Sequence, residues 1–153
     1  IRRVLASGQF IGGPELERFE QRFAKFCGVR HAVGVGNGTD AIVLALRALG
    51  IGPGDEVITT SYSFVATAQA IMRVGADPRF VDIEDDGFNL NPEQFECKWS
   101  SRTRAILIVH LFGRPVEMEA VLSFARRRGL PIVEDAAQAH GARYRGQRVG
   151  SLG

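Results

Sequence analysis

Cysteine is scarce: Cys27 and Cys97 stand far apart with no C-x-x-C spacing. They read as free thiols, which fits a reducing cytosol. Long apolar runs are missing, and the longest, Ala41 to Leu46, has six residues, far short of a membrane span. No charge of one sign dominates. The formal net charge is +2, and Lys and Arg form no long patch, so nucleic acid is not an implied partner. The triplet Arg126-Arg127-Arg128 reads as favourable charge at a helix C-terminus. Lysine is limited to Lys25 and Lys98, and there are no repeats or low-complexity segments. The chain starts at Ile1 without methionine and stops at Gly153 directly after a turn-like GSLG. Both ends read as cut, so part of a longer protein is expected and a removed targeting segment stays open.

The composition is that of an ordinary soluble domain: 153 residues, 45% apolar and 24% charged, enough for one real core. The chain is organised around GLPIVEDAAQAHG, residues 129–141. Leu130, Ile132 and Val133 follow a glycine stop as a short apolar run, the mark of a buried parallel strand. That strand ends in Glu134 and Asp135. In open α/β sheets ligands bind outside the carboxyl ends of strands, which puts Asp135 where chemistry is expected; a plain helix N-cap is the competing reading.

Upstream, Pro14 opens a helix that Gly28 ends, with Leu16, Phe19, Phe23 and Phe26 on one face. Strands are expected over 31–35, 56–60, 79–83 and 104–109, and helices after the glycine-rich turn at 34–38, after Phe64, after Asn91 and over 116–128. GARYRGQRVG resembles a small hairpin. Strands alternating with helices predict a three-layer α-β-α fold with a mostly parallel sheet. Right-handed crossovers then bring the loops at 36–39, 61–64, 110–113 and 135–138 to one edge.

Gly34, Gly36 and Gly38 permit close backbone approach at a helix N-terminus, a setting that binds phosphate, and Thr39 adds a hydroxyl. A G-x-G-x-x-G frame from Gly34 fails at Thr39, the following strand ends in Thr59 and Thr60 rather than an acidic residue, and no Gly-Lys-Ser/Thr is present. These absences disfavour a nicotinamide dehydrogenase and a P-loop. Phe64 is either core or a ring lying flat on a planar ligand. Phosphate cradle, stacking ring and carboxylate together describe a pyridoxal phosphate site, in which Asp135 keeps the pyridine nitrogen protonated.

At these residues the sequence resembles a known family. NGTDAI, GIGPGDEVIT, SFVATA, GADPRFVDI, HLFGRP and VEDAAQAHGARYRGQRVGSLG occur in family order; they are similar to the DegT/StrS sugar aminotransferases, fold-type-I pyridoxal phosphate enzymes. The resemblance implies that residues 1–153 are part of the large domain, lacking the small C-terminal domain. It further implies that Gly38 and Thr39 bind the cofactor phosphate, Phe64 stacks on its ring, Asp135 pairs with the ring nitrogen and Gln138 bonds the ring hydroxyl. His110 either lines the site or satisfies local backbone, the second being favoured. The Schiff-base lysine of the family lies shortly past GSLG, and neither Lys25 nor Lys98 matches it, so this stretch alone is expected to be inactive.

The implied activity is transfer of an amino group, from glutamate, to a nucleotide-linked keto-sugar in polysaccharide or secondary-metabolite biosynthesis, by a cytoplasmic homodimer with no metal. A sugar dehydratase of the same fold and a non-catalytic cofactor-binding remnant are the alternatives.

Overall fold

The computed structural model describes residues 1–153, in two compact units, Ile1–Val35 and Gly36–Gly153. The first unit holds α1 (Arg2–Ser7) and α2 (Pro14–Cys27). Pro14 opens α2, and Gly28, at φ 79°, closes it in the left-handed region, as the sequence predicts. Phe19, Phe23 and Phe26 stack in a row along it, with centroids 5.5 and 6.1 Å apart. Helix α1 is an addition to the expected elements. None of its residues is buried, so it has no apolar stripe to announce it. The strand expected over 31–35 does not form. An extended segment becomes a strand only when a neighbour takes its backbone groups, whereas the Gly34 N–H goes to Glu20 Oε1 at 2.7 Å.

The second unit runs α3 (Gly38–Ala48), β1 (Glu56–Thr60), α4 (Val65–Arg73), β2 (Asp77–Val81), α5 (Phe95–Lys98), β3 (Thr103–Val109), α6 (Met118–Arg128) and β4 (Ile132–Asp135). A hairpin of β5 (Arg143–Tyr144) and β6 (Gln147–Arg148) follows. The order β2-β1-β3-β4 is parallel throughout. The expected strand at 79–83 sits two residues earlier. Pro78 is accepted because β2 lies at the sheet edge, and Ile83 instead bridges to Leu90.

Side chains alternate between the two faces of the sheet. Val57, Ala105, Leu107 and Val133 join Ile42 and Leu46 of α3 and Ala70 and Ile71 of α4 in one core layer. Ile58, Ile106, Ile108 and Ile132 join Phe95 of α5 and Val121 and Phe124 of α6 in the other. This is the expected three-layer arrangement. At the amino edge, Glu56 is buried and accepts from Ser100 Oγ at 2.6 Å and Arg102 at 2.5 Å, with Arg79 at 3.6 Å. Polar ties to β2 and to the entrance of β3 thus close that end of the sheet. No helix is long and apolar enough to cross a membrane.

Candidate active site

All four parallel strands deliver their carboxyl ends to one edge, and β4 ends there in two adjacent carboxylates. Alternation sends them apart. Asp135 has the parity of Val133 and points to the α3/α4 layer, while Glu134 shares the parity of Ile132.

Asp135 is half-buried. Its Oδ1 accepts the Ala137 N–H at 3.0 Å, and Oδ2 takes no hydrogen bond within the chain. Capping and ligand-binding readings are therefore compatible: one oxygen caps the turn and the other is left to a partner.

Helix α3 lies on the same layer. The chain leaves its C-terminus for the amino end of β1, so its N-terminus points back toward the carboxyl edge. Asn37 caps it, accepting the Asp40 N–H at 2.9 Å and donating to Asp40 Oδ2 at 2.8 Å. The N–H groups of Gly38 and Thr39 have no partner within the helix. A Cβ at Gly38 would meet nothing within 4 Å, which leaves room for a group bound at those amides. Gly34 belongs elsewhere. Its N–H is held by Glu20, and a Cβ there would lie 2.6 Å from Leu16 Cδ1; packing inside the first unit, rather than a phosphate, accounts for that glycine.

Phe64 precedes α4 and is 70% exposed, so its ring is not part of the core. The turn beneath it is braced by a Ser63–Thr67 hydroxyl contact at 2.9 Å. Gln138 is exposed, and its Oε1 accepts the Phe112 N–H at 2.8 Å, so the amide's donor is its NH2. Phe112 itself adopts φ 53°, ψ 23°.

His110 is fully buried. Its Nδ1 accepts the Val116 N–H at 3.0 Å, so the ring proton sits on Nε2 and is donated to Glu134 Oε2 at 3.0 Å. Its own N–H binds the Asp135 carbonyl at 3.0 Å. Lys98 precedes the amino end of β3, at the opposite end of the strands from Asp135, and Lys25 is exposed on α2 of the first unit.

Glu134 was not among the expected site residues. It accepts from His110 and from three backbone amides: Gly150 at 2.7 Å, Leu152 at 2.6 Å and Gly153 at 2.6 Å. Burial raises its pKa, but the His110 bond and these amides outweigh that and hold the carboxyl below its ordinary value. A depressed folded-state pKa contributes stability above the unfolded value of 4.5, lost as pH falls through the lower folded value. Exchange protection of the amides at 150, 152 and 153, followed from about pH 6 to about pH 3, is therefore expected to collapse only below about 4.5. Protection that is insensitive to acid would contradict this anchorage.

Set together, the site offers a helix N-terminus for an anionic phosphate, an open aromatic face, an amide donor and a carboxylate with one oxygen unused. That donor set fits pyridoxal phosphate. The DegT/DnrJ/EryC1/StrS aminotransferase family model matches residues 1–153. A dTDP-3-amino-3,4,6-trideoxy-alpha-D-glucose transaminase of Streptomyces venezuelae is 54% identical over 151 residues, covering 99% of this chain and 40% of the relative. A UDP-2-acetamido-2-deoxy-3-oxo-D-glucuronate aminotransferase of Pseudomonas aeruginosa is 45% identical, covering 99% and 42%. The crystal structure of NtdA from Bacillus subtilis with bound cofactor PMP superposes with a TM-score of 0.89 at 39% identity, covering 92% of this chain and 32% of that one. The chain thus spans about two-fifths of the length of these curated relatives.

Proposed function

The chain belongs to the DegT/DnrJ/EryC1/StrS aminotransferase family, and from that premise we propose that the whole protein transfers an amino group, from glutamate, to a nucleotide-linked keto-sugar. Residues 1–153 form the first part of its cofactor-binding large domain. The protein acts in the cytoplasm as a homodimer, in polysaccharide or secondary-metabolite biosynthesis.

The family's cofactor is pyridoxal 5'-phosphate, which when bound draws electrons from the substrate carbon into its ring. The amides of Gly38 and Thr39 and the Thr39 hydroxyl hold the phosphate at the positive end of α3. Phe64 lies against the ring. The free oxygen of Asp135 keeps a proton on the ring nitrogen, and the Gln138 amide donates to the ring hydroxyl. We place the lysine nucleophile beyond Gly153, because Lys98 is at the wrong end of the sheet. The observation that carries this reading is the Asp135 carboxylate, half-buried, with one oxygen committed to the backbone and the other available on the α3/α4 face.

In the full-length protein, Thr39→Val is expected to weaken pyridoxal phosphate binding about 10-fold or more, the loss of one hydrogen bond to a charged group. An absorbance titration reads this directly, and unchanged affinity would count against the phosphate site. Glutamate added to the loaded protein should release 2-oxoglutarate. Cofactor binding without that release favours a non-catalytic cofactor-binding remnant.

A further inference from the structure

Three loops at the carboxyl edge meet in a row of rings that the cofactor reading leaves unused. Tyr62 follows β1, Phe88 lies in the loop after β2, and Phe112 follows β3. Tyr62 and Phe88 are stacked with centroids 6.0 Å apart; Phe88 and Phe112 meet edge-on at 5.6 Å. The three remain 46%, 49% and 65% exposed.

The loops that carry them are pinned. Asn89, beside Phe88, is buried and donates from Nδ2 to the carbonyls of Arg114 and Pro115 at 3.2 and 2.9 Å. The Tyr62 N–H reaches Thr60 Oγ1 at 3.2 Å. Phe112 occupies the left-handed region, which is unfavourable for a bulky residue, and Gln138 holds it there through its N–H. Phe112 thus stands one hydrogen bond from Gln138, which the reading above assigns to the cofactor.

We propose that Tyr62, Phe88 and Phe112 form the stacking surface for the nucleobase of a nucleoside diphosphate-linked substrate. The inference rests on the reading above that the substrate is a nucleotide-linked sugar, and it assigns the base a place. Arg114 lies two residues past Phe112, is half exposed and is ion-paired with Glu84 at 3.6 Å. A stacking platform reads the flat face of a base rather than its edge, so it tolerates different bases. Thymidine- and uridine-linked sugars are thereby accepted by the same three rings.

The test uses the full-length protein loaded with pyridoxal phosphate, with dTDP, UDP and inorganic pyrophosphate as calorimetric probes. Phe88→Leu and Tyr62→Leu keep apolar bulk and remove a ring. Each is expected to raise the Kd of dTDP and of UDP about 10-fold, in line with the loss of one stacking partner. Pyrophosphate binding, pyridoxal phosphate affinity and oligomeric state should stay as in the parent, and Phe88→Tyr should retain parental affinity. Unchanged dTDP affinity overturns the proposal, as does a loss shared equally by pyrophosphate. A variant that dissociates into monomers overturns it too and assigns the rings to a subunit contact. Release of 2-oxoglutarate from glutamate is read in the same samples, so failure of the shelf is separated from failure of the aminotransferase reading.

Discussion

Asp135→Asn in the full-length protein is expected to lower turnover about 100- to 1000-fold, the scale of removing a fixed charge partner from a catalytic site. The side chain keeps its shape, and its remaining carbonyl oxygen still accepts the Ala137 N–H, so the turn after β4 is preserved. What disappears is the negative charge proposed to hold a proton on the ring nitrogen. Pyridoxal phosphate should still bind, because the proposed phosphate contacts are on α3. Steady-state kinetics with a cofactor titration separates the two effects. Near-parental turnover would remove Asp135 from its assigned role.

Glu134→Gln acts next door with a different outcome. Glu134 is a pure acceptor facing four donors. Replacing one of its oxygens by NH2 sets donor against donor at His110 or at the amides of 150–153. The expected cost is about 1–3 kcal/mol, that of a buried donor left without an acceptor, with loss of exchange protection at Gly150, Leu152 and Gly153. Denaturant unfolding and hydrogen exchange on the full-length protein read both. Parental stability together with intact protection would show that these bonds do not anchor the segment.

The period-2 and period-3.6 patterns were enough to place the second unit's main strands and helices, because both faces of its sheet are buried and the apolar runs are correspondingly plain. β1 falls on its expected span. The β2 boundary moved because Pro78 is tolerated at an edge; α6, expected from Val116, starts at Met118, and the Val116 N–H goes to His110. Residues 31–35 lie outside the four-stranded sheet, with the Gly34 N–H taken by Glu20. Glu134 escaped notice for a different reason. Two consecutive carboxylates at a strand end are equivalent in sequence, and only the parity of the sheet decides which faces α3 and which faces the His110 side. The conformation of Phe112 had no signature either, since left-handed backbone is normally announced by glycine or asparagine.

That parity makes the length of the Gly129–Pro131 connection as consequential as its composition. Adding or removing one residue there slides β4 by one position against β3 and exchanges the two carboxylates. Glu134 would then face α3 and Asp135 would face the His110 side, with every hydrophobic contact of the strand inverted as well. Chemistry and chain anchorage are thus encoded in adjacent letters of one frame, and a shift in that frame loses both together although neither residue has been replaced.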